Sequence, residues 1–147
     1  MKLAEGLLLR ADLLKKIQHL LNRIRPVLIV TDGKSPQEDP TKLLAQLRKT
    51  NQDLESIIVR INKTNNETQL DGASLMEALA RRDSLKLLSE NLRNIRQGAQ
   101  INNGGYGSQK ATVDIKALQI EIDQTGRAFR DIDSKIQEVN WLTELKE

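Results

Sequence analysis

The sequence predicts an all-α protein, an antiparallel four-helix bundle with long coiled-coil-like helices, in which a short two-stranded β ribbon can cap one end. Leu7, Leu14, Leu21 and Leu28 stand seven residues apart, and Ile115, Ile122, Phe129 and Ile136 repeat that spacing near the other end. Sustained apolar heptads mark helices that pack side by side along a seam. Aromatic residues make up only 2% of the chain (Tyr106, Phe129 and Trp141). The core must then be aliphatic, which suits helix–helix packing better than a sandwich or barrel.

The first helix is expected over residues 3–25, with Leu3, Leu7, Leu14, Ile17, Leu21 and Ile24 as its stripe. Pro26 ends it, because the residue before proline is pushed out of the helical region. Val27-Leu28-Ile29-Val30-Thr31 is β-branched and short, and Asp32-Gly33 closes it, so 27–31 reads as a strand and turn. The second helix spans 41–67, opened by Asp39 as N-cap and Pro40 at the first helical position. Its stripe reads Leu44, Leu47, Asn51, Leu54, Ile58, Ile61, Asn65, and Leu70-Asp71-Gly72 breaks it.

Ser74 to Glu77 forms a capping box that starts the third helix, 75–99, in which Ala78, Leu85, Leu92 and Ala99 keep heptad spacing beside Leu88 and Ile95. Asn102 to Ser108 is a loop, and 109–113 can be extended. Thr112 or Asp114 caps the fourth helix, 114–145, which should be the longest. Its stripe is Ile115, Leu118, Ile122, Thr125, Phe129, Ile132, Ile136, Val139, with Phe129 and Ile132 expected among the most buried residues. Short connections make neighbouring helices antiparallel and bring 27–31 and 109–113 to the same end, where they can pair. No internal repeat or low-complexity linker appears, so residues 1–147 read as a single helical-bundle domain.

Composition excludes several functions. The net charge of +3 comes without a basic stripe or interleaved aromatics, which argues against nucleic acid. The absence of cysteine removes disulfides and thiolate sites. Glu5, Arg10 and Asp12 interrupt any signal-like core in the first residues. Val27 to Val30, the longest aliphatic run, falls far short of the roughly 20 residues that span a bilayer. A soluble, cytoplasmic protein is the expectation.

Six phrases resemble the bacterial family often labelled septicolysin-like: M-K-L-A-E at 1–5, I-N-K-T-N at 61–65, L-D-G-A-S-L at 70–75, A-L-A-R-R-D-S-L at 78–85, T-V-D-I at 112–115 and I-Q-E-V-N-W-L-T-E-L at 136–145. They touch all four expected helices. The resemblance implies a small, helical, oligomeric protein without an established role, and its label implies a pore-forming cytolysin. The glycine-rich stretch 103–107 departs from that pattern.

Few residues offer chemistry. His19 is the lone histidine, so neither a His-based catalytic pair nor a multi-histidine metal site can form within one chain. Arg82 lies seven residues after Leu75, on the continuation of the apolar stripe, and must find a carboxylate or helix-end carbonyls there. It reads as a structural ion pair fixing helix register, reaching beyond its neighbour Asp83, with an anion pocket as the sharper alternative. Asn51 and Asn65 would trade stability for partner or register, while Asn62, Asn66 and Asn140 read as surface residues and caps. Gly104 to Ser108 lacks the spacing of a phosphate loop and reads as a turn. Glu38-Asp39 and Asp131-x-Asp133 match neither an EF-hand nor a di-metal arrangement.

No catalytic, cofactor-binding or metal-ligating residue is assigned, and no enzyme, cofactor or small-molecule substrate is expected. The leading reading is a structural or interaction protein that self-associates as a homo-oligomer, since Leu44, Ile57, Leu87, Ile120 and Leu142 leave some helices apolar on two sides. The alternative is a pore-forming or membrane-active protein using the ribbon as an apolar tongue.

Overall fold

The computed structural model describes residues 1–100 and 109–147, so the expected loop 102–108 lies outside the described residues. Four helices dominate them: α1 (Leu3–Ile24), α2 (Pro40–Glu67), α3 (Leu75–Gly98) and α4 (Ile115–Leu142). The caps explain the boundaries. Asp39 accepts from the Thr41 and Lys42 amides, and Pro40 opens α2. Ser74 and Glu77 form the reciprocal capping box of α3. Asp114, not Thr112, caps α4 by accepting from the Ala117 amide at 3.0 Å. α2 and α4 are equally long, at 28 residues each.

The ribbon is where the structure corrects the sequence reading. Residues 25–27 tighten into a single 3-10 turn and 28–31 form no strand; 109–113 form none either. The sheet is instead a minimal hairpin of β1 (Gln69–Leu70) and β2 (Ala73–Ser74), pairing Gln69 with Ser74 and Leu70 with Ala73. Asp71 and Gly72, read above as a helix break, carry φ of 51° and 86°. Positive φ at both central residues matches the right-handed twist of adjoining strands, which is why Asp-Gly makes hairpins.

The chain forms two compact units, Met1–Thr68 with Asn140–Glu147, and Gln69–Val139. In the first, α1 and α2 pack antiparallel: Leu20, Ile24 and Val27 at the end of α1 meet Leu43 at the start of α2, with Leu44 and Leu47 beside them. At the other end Gly6 lies against Ile57 and the tail residue Leu145. The tail is tied down by backbone bonds from Leu3 to Thr143 (2.9 Å) and from Leu145 to Met1 (2.8 Å). Lys2 and the terminal amine both hold Glu144, which keeps its carboxyl below the ordinary range.

The seam differs from the expected stripes by one residue on one of its two edges. Gly6, Leu13, Leu20 and Val27 are buried, not Leu7, Leu14, Leu21 and Leu28; on α2 the buried set is Leu43, Thr50, Ile57 and Thr64, not Leu44, Asn51, Ile58 and Asn65. The other edge, with Leu3, Ile24, Leu54 and Ile61, stands as expected. Small and β-branched residues let two backbones approach closely. The buried threonines bond back into their own helix, Thr50 to the Gln46 carbonyl (2.8 Å) and Thr64 to that of Arg60 (2.7 Å), so neither hydroxyl is buried without a partner.

In the second unit α3 and α4 also run antiparallel, as three rungs between them show. Arg82 reaches Asp133 at 3.6 Å, Ser89 faces Gly126 across a cleft, and Arg96 donates to Gln119 at 2.6 Å. Each rung lies one heptad from the next on both helices. Leu75, Ala78, Ser89 and Leu92 are buried on α3, while Leu88 and Ile95 are exposed, the same one-residue displacement again. The α4 stripe is as expected in phase, with Ile122, Thr125 and Ile136 buried. Phe129 and Ile132 are only half-buried, because Phe129 lines that cleft of about 270 Å³ and Ile132 lines two smaller cavities beside the hairpin.

Candidate functional site

One face and one groove stand out. The face belongs to the first unit. Two antiparallel helices are related by an approximate twofold normal to their common plane, which keeps front as front. Residues one step beyond matching seam positions therefore share a side. Leu7, Leu14 and Leu21 of α1 and Leu44, Asn51 and Ile58 of α2 are such residues. Leu14 is 51% exposed and Ile58 36%, while Leu7, Leu21 and Leu44 are half-buried. Beyond α1, Leu28, Ile29 and Val30 are exposed as well, Ile29 to 87%.

The groove belongs to the second unit, where two cavities of about 190 and 240 Å³ share Asp71, Arg81 and Ile132. The hairpin turn places Asp71, which pairs with Lys135 of α4, and that carboxylate raises the lysine above its ordinary range. Glu77 also lines the groove, but the Ser74 amide and hydroxyl both donate to it and hold its carboxyl down. Arg81 makes no ion pair among the described residues, and Asp131 completes the charges. Ligand cavities are typically about 300–1,000 Å³. These are smaller, and their carboxylates are committed to pairing and capping.

The residues singled out in the sequence do not converge. His19 is exposed on α1. Arg82 is 25% exposed and does reach across to Asp133, but its hydrogen bonds run to Asp83, at 2.7 and 2.9 Å. It is thus a boundary pair, not a closed anion pocket. Asn51, Asn62 and Asn66 are exposed, Asn65 half-buried and Asn140 buried. Glu38 holds Arg23 through two hydrogen bonds, at 2.5 and 3.2 Å, while Asp39 is spent as a cap. The turn at 104–108 lies outside the described residues. Among the described residues, no group of three or more His, Asp or Glu side chains is placed to hold a metal ion. The rungs Ser89–Gly126 and Arg96–Gln119 were missed, although Arg82, Ser89 and Arg96 continue from Leu75 at heptad spacing.

Residues 10–145 match the family of unknown function DUF6847. The chain belongs to that family. This overturns the septicolysin-like resemblance and its cytolysin label, since the six short phrases did not identify the family that matches nearly the whole length. The DUF6847 chain is also similar to a solved structure described as a functionally unknown conserved protein from Corynebacterium diphtheriae. The two share 28% identity over 99% of each chain, with a TM-score of 0.92. No curated protein matches. No helix among the described residues of this DUF6847 chain is long and apolar enough to cross a membrane.

Proposed function

We propose that this protein is a structural or interaction protein that self-associates through coiled-coil-like helix faces and carries no catalytic site. One observation carries the reading: the leucine heptad of α1 lies outside its own seam, with Leu14 half in solvent at the centre of the apolar side of the α1–α2 pair. Burying apolar surface is worth roughly 25 cal/mol per Å², so such a face favours a covering partner. The reading treats residues 1–147 as one folding unit, because α4 begins in the second unit and the chain ends in the first. Sedimentation equilibrium at micromolar concentration tests it, and a clean monomer would refute it.

A membrane-active reading draws on Leu28-Ile29-Val30, exposed together in the α1–α2 connection. A vesicle-leakage assay run beside the mass measurement separates the two, since leakage by a monomer would favour membrane action.

A further inference from the structure

Resting on the self-association reading, we infer that the partner of the Leu14 face is the same face of a second copy, the two related by a dyad that crosses α1 near Leu14 and α2 near Asn51. Residue spacing carries the inference. Leu7 and Leu21 lie equally far on either side of Leu14, and Leu44 and Ile58 equally far on either side of Asn51. A dyad lying in the face and perpendicular to the helices sets α1 against the partner's α1 and α2 against the partner's α2, each pair antiparallel. Leucine then meets leucine on α1, and Leu44 meets isoleucine on α2.

The polar residues of the face fit the same operation. Arg48 and Glu55 flank Asn51 on the exposed side of α2, and neither makes an ion pair among the described residues. Seven residues apart on a helix, they stand about 10.5 Å from each other and cannot pair within the chain. Across the dyad each falls opposite its complement in the other copy, giving two reciprocal ion pairs. Asn51 falls opposite itself, and an amide offers a donor and an acceptor to its twin. Arg10, the charge on the α1 part of the face, falls opposite Gln18. That side chain spends its amide nitrogen on Asn22 (3.4 Å) and keeps its carbonyl free to accept.

The area is sufficient. Two helices of some 22 residues, each about 33 Å long and about 10 Å wide, present roughly 650 Å² per copy, inside the roughly 600–1,000 Å² per partner of stable interfaces. An unrelated protein would have no reason to match a face symmetric about Leu14 and Asn51.

The test uses the full chain and sedimentation equilibrium, with circular dichroism to confirm the fold of each variant. Leu14→Arg sets two guanidinium groups against each other at the dyad and should weaken association at least about tenfold. Arg48→Glu and Glu55→Arg should each weaken it, because each places like charges opposite, and the double variant R48E/E55R should restore it. A monomeric wild type would overturn both the self-association reading and this interface. A wild-type oligomer that survives Leu14→Arg would leave self-association standing and overturn this face. A double variant no stronger than the singles would overturn the dyad.

Discussion

Thr50 and Thr64 are matched buried threonines, at 1% and 0% exposure, and replacing each by valine separates a packing role from an anchoring one. The Thr50 hydroxyl donates only to the Gln46 carbonyl, which keeps its ordinary helix bond without it. Thr50→Val therefore gives up a bond worth about 0.5–1.5 kcal/mol net, offset by burying a methyl instead of a hydroxyl, and should be nearly neutral. Thr64 differs because its hydroxyl also accepts the Lys146 amide at 3.0 Å. In Thr64→Val that amide faces a methyl, at a cost of about 1–3 kcal/mol for an unsatisfied donor. Partial water access at the tail favours the lower half, about 1–2 kcal/mol, or about 2–8 °C in Tm at this chain length. The tail should also loosen, weakening the bonds from Arg60 to the Lys146 carbonyl (3.0 Å) and from Lys63 to that of Glu147 (2.8 Å). Thermal melts give the stabilities, and amide hydrogen exchange at Lys146 reports the anchor. Equal melting shifts in the two variants, or unchanged protection at Lys146, would refute the reasoning.

Other outcomes follow from the same geometry. A Cβ on Gly6 would stand 2.9 Å from Leu145 Cδ2. Gly6→Ala should gain its helix propensity of about 1 kcal/mol only when Leu145→Ala has cleared the space, and a double-mutant cycle without coupling would show that the tail does not pack there. Ser74→Ala should cost about 0.5–2 kcal/mol by denaturant midpoint through loss of the α3 cap. Glu77, with its pKa lowered from 4.5, stabilises the fold above that value and ceases to as pH falls through its lower folded value. Glu77→Gln should accordingly flatten the acid limb of the stability curve. Arg82→Ala should cost about 1 kcal/mol by chemical denaturation, not the roughly 3–5 of a fully buried pair, since solvent screens the Asp133 contact.

Helix boundaries were legible because Asp39-Pro40, Ser74 to Glu77 and Asp114 satisfy specific orphan amides wherever the chain folds. The seam was legible only to within one residue. Leu13 and Leu14 carry the same side chain, as do Ile57 and Ile58, so apolar spacing alone could not choose between the two registers; the bulk of Leu7 and Leu28 beside Gly6 and Val27 favoured the later one, and Asn51 and Asn65 followed by spacing. Packing chose Gly6, Thr50 and Thr64, whose small size suits the close α1–α2 approach while the threonine hydroxyls stay bonded within their own helix. The ribbon failed for a related reason. Val27 to Val30 has β propensity but no strand to pair with, whereas Asp71-Gly72 sets the hairpin turn locally and needs no distant partner. The candidate face was visible as leucines but not as a face, since that required knowing which heptad the seam leaves over.

A zip of identical apolar teeth closes equally well one tooth along, and helices with strict seven-residue repeats face that degeneracy. Between α3 and α4 the teeth are not identical: a cation meets an anion at Arg82–Asp133, Ser89 and Gly126 line a cleft, and a cation meets an amide at Arg96–Gln119. Slide α4 by one heptad in one sense and Arg82 faces Gly126 and keeps only its neighbour Asp83, while Asp133 comes opposite buried Leu75 with no cation to meet it. Slide it in the other and Asp133 comes opposite Ser89, while Arg96 loses its amide to Gly126. Each misalignment strands at least one charge, so the hairpin has a single lowest-energy closure. Polar residues that contribute little to stability thus serve as a vernier against mis-zipping.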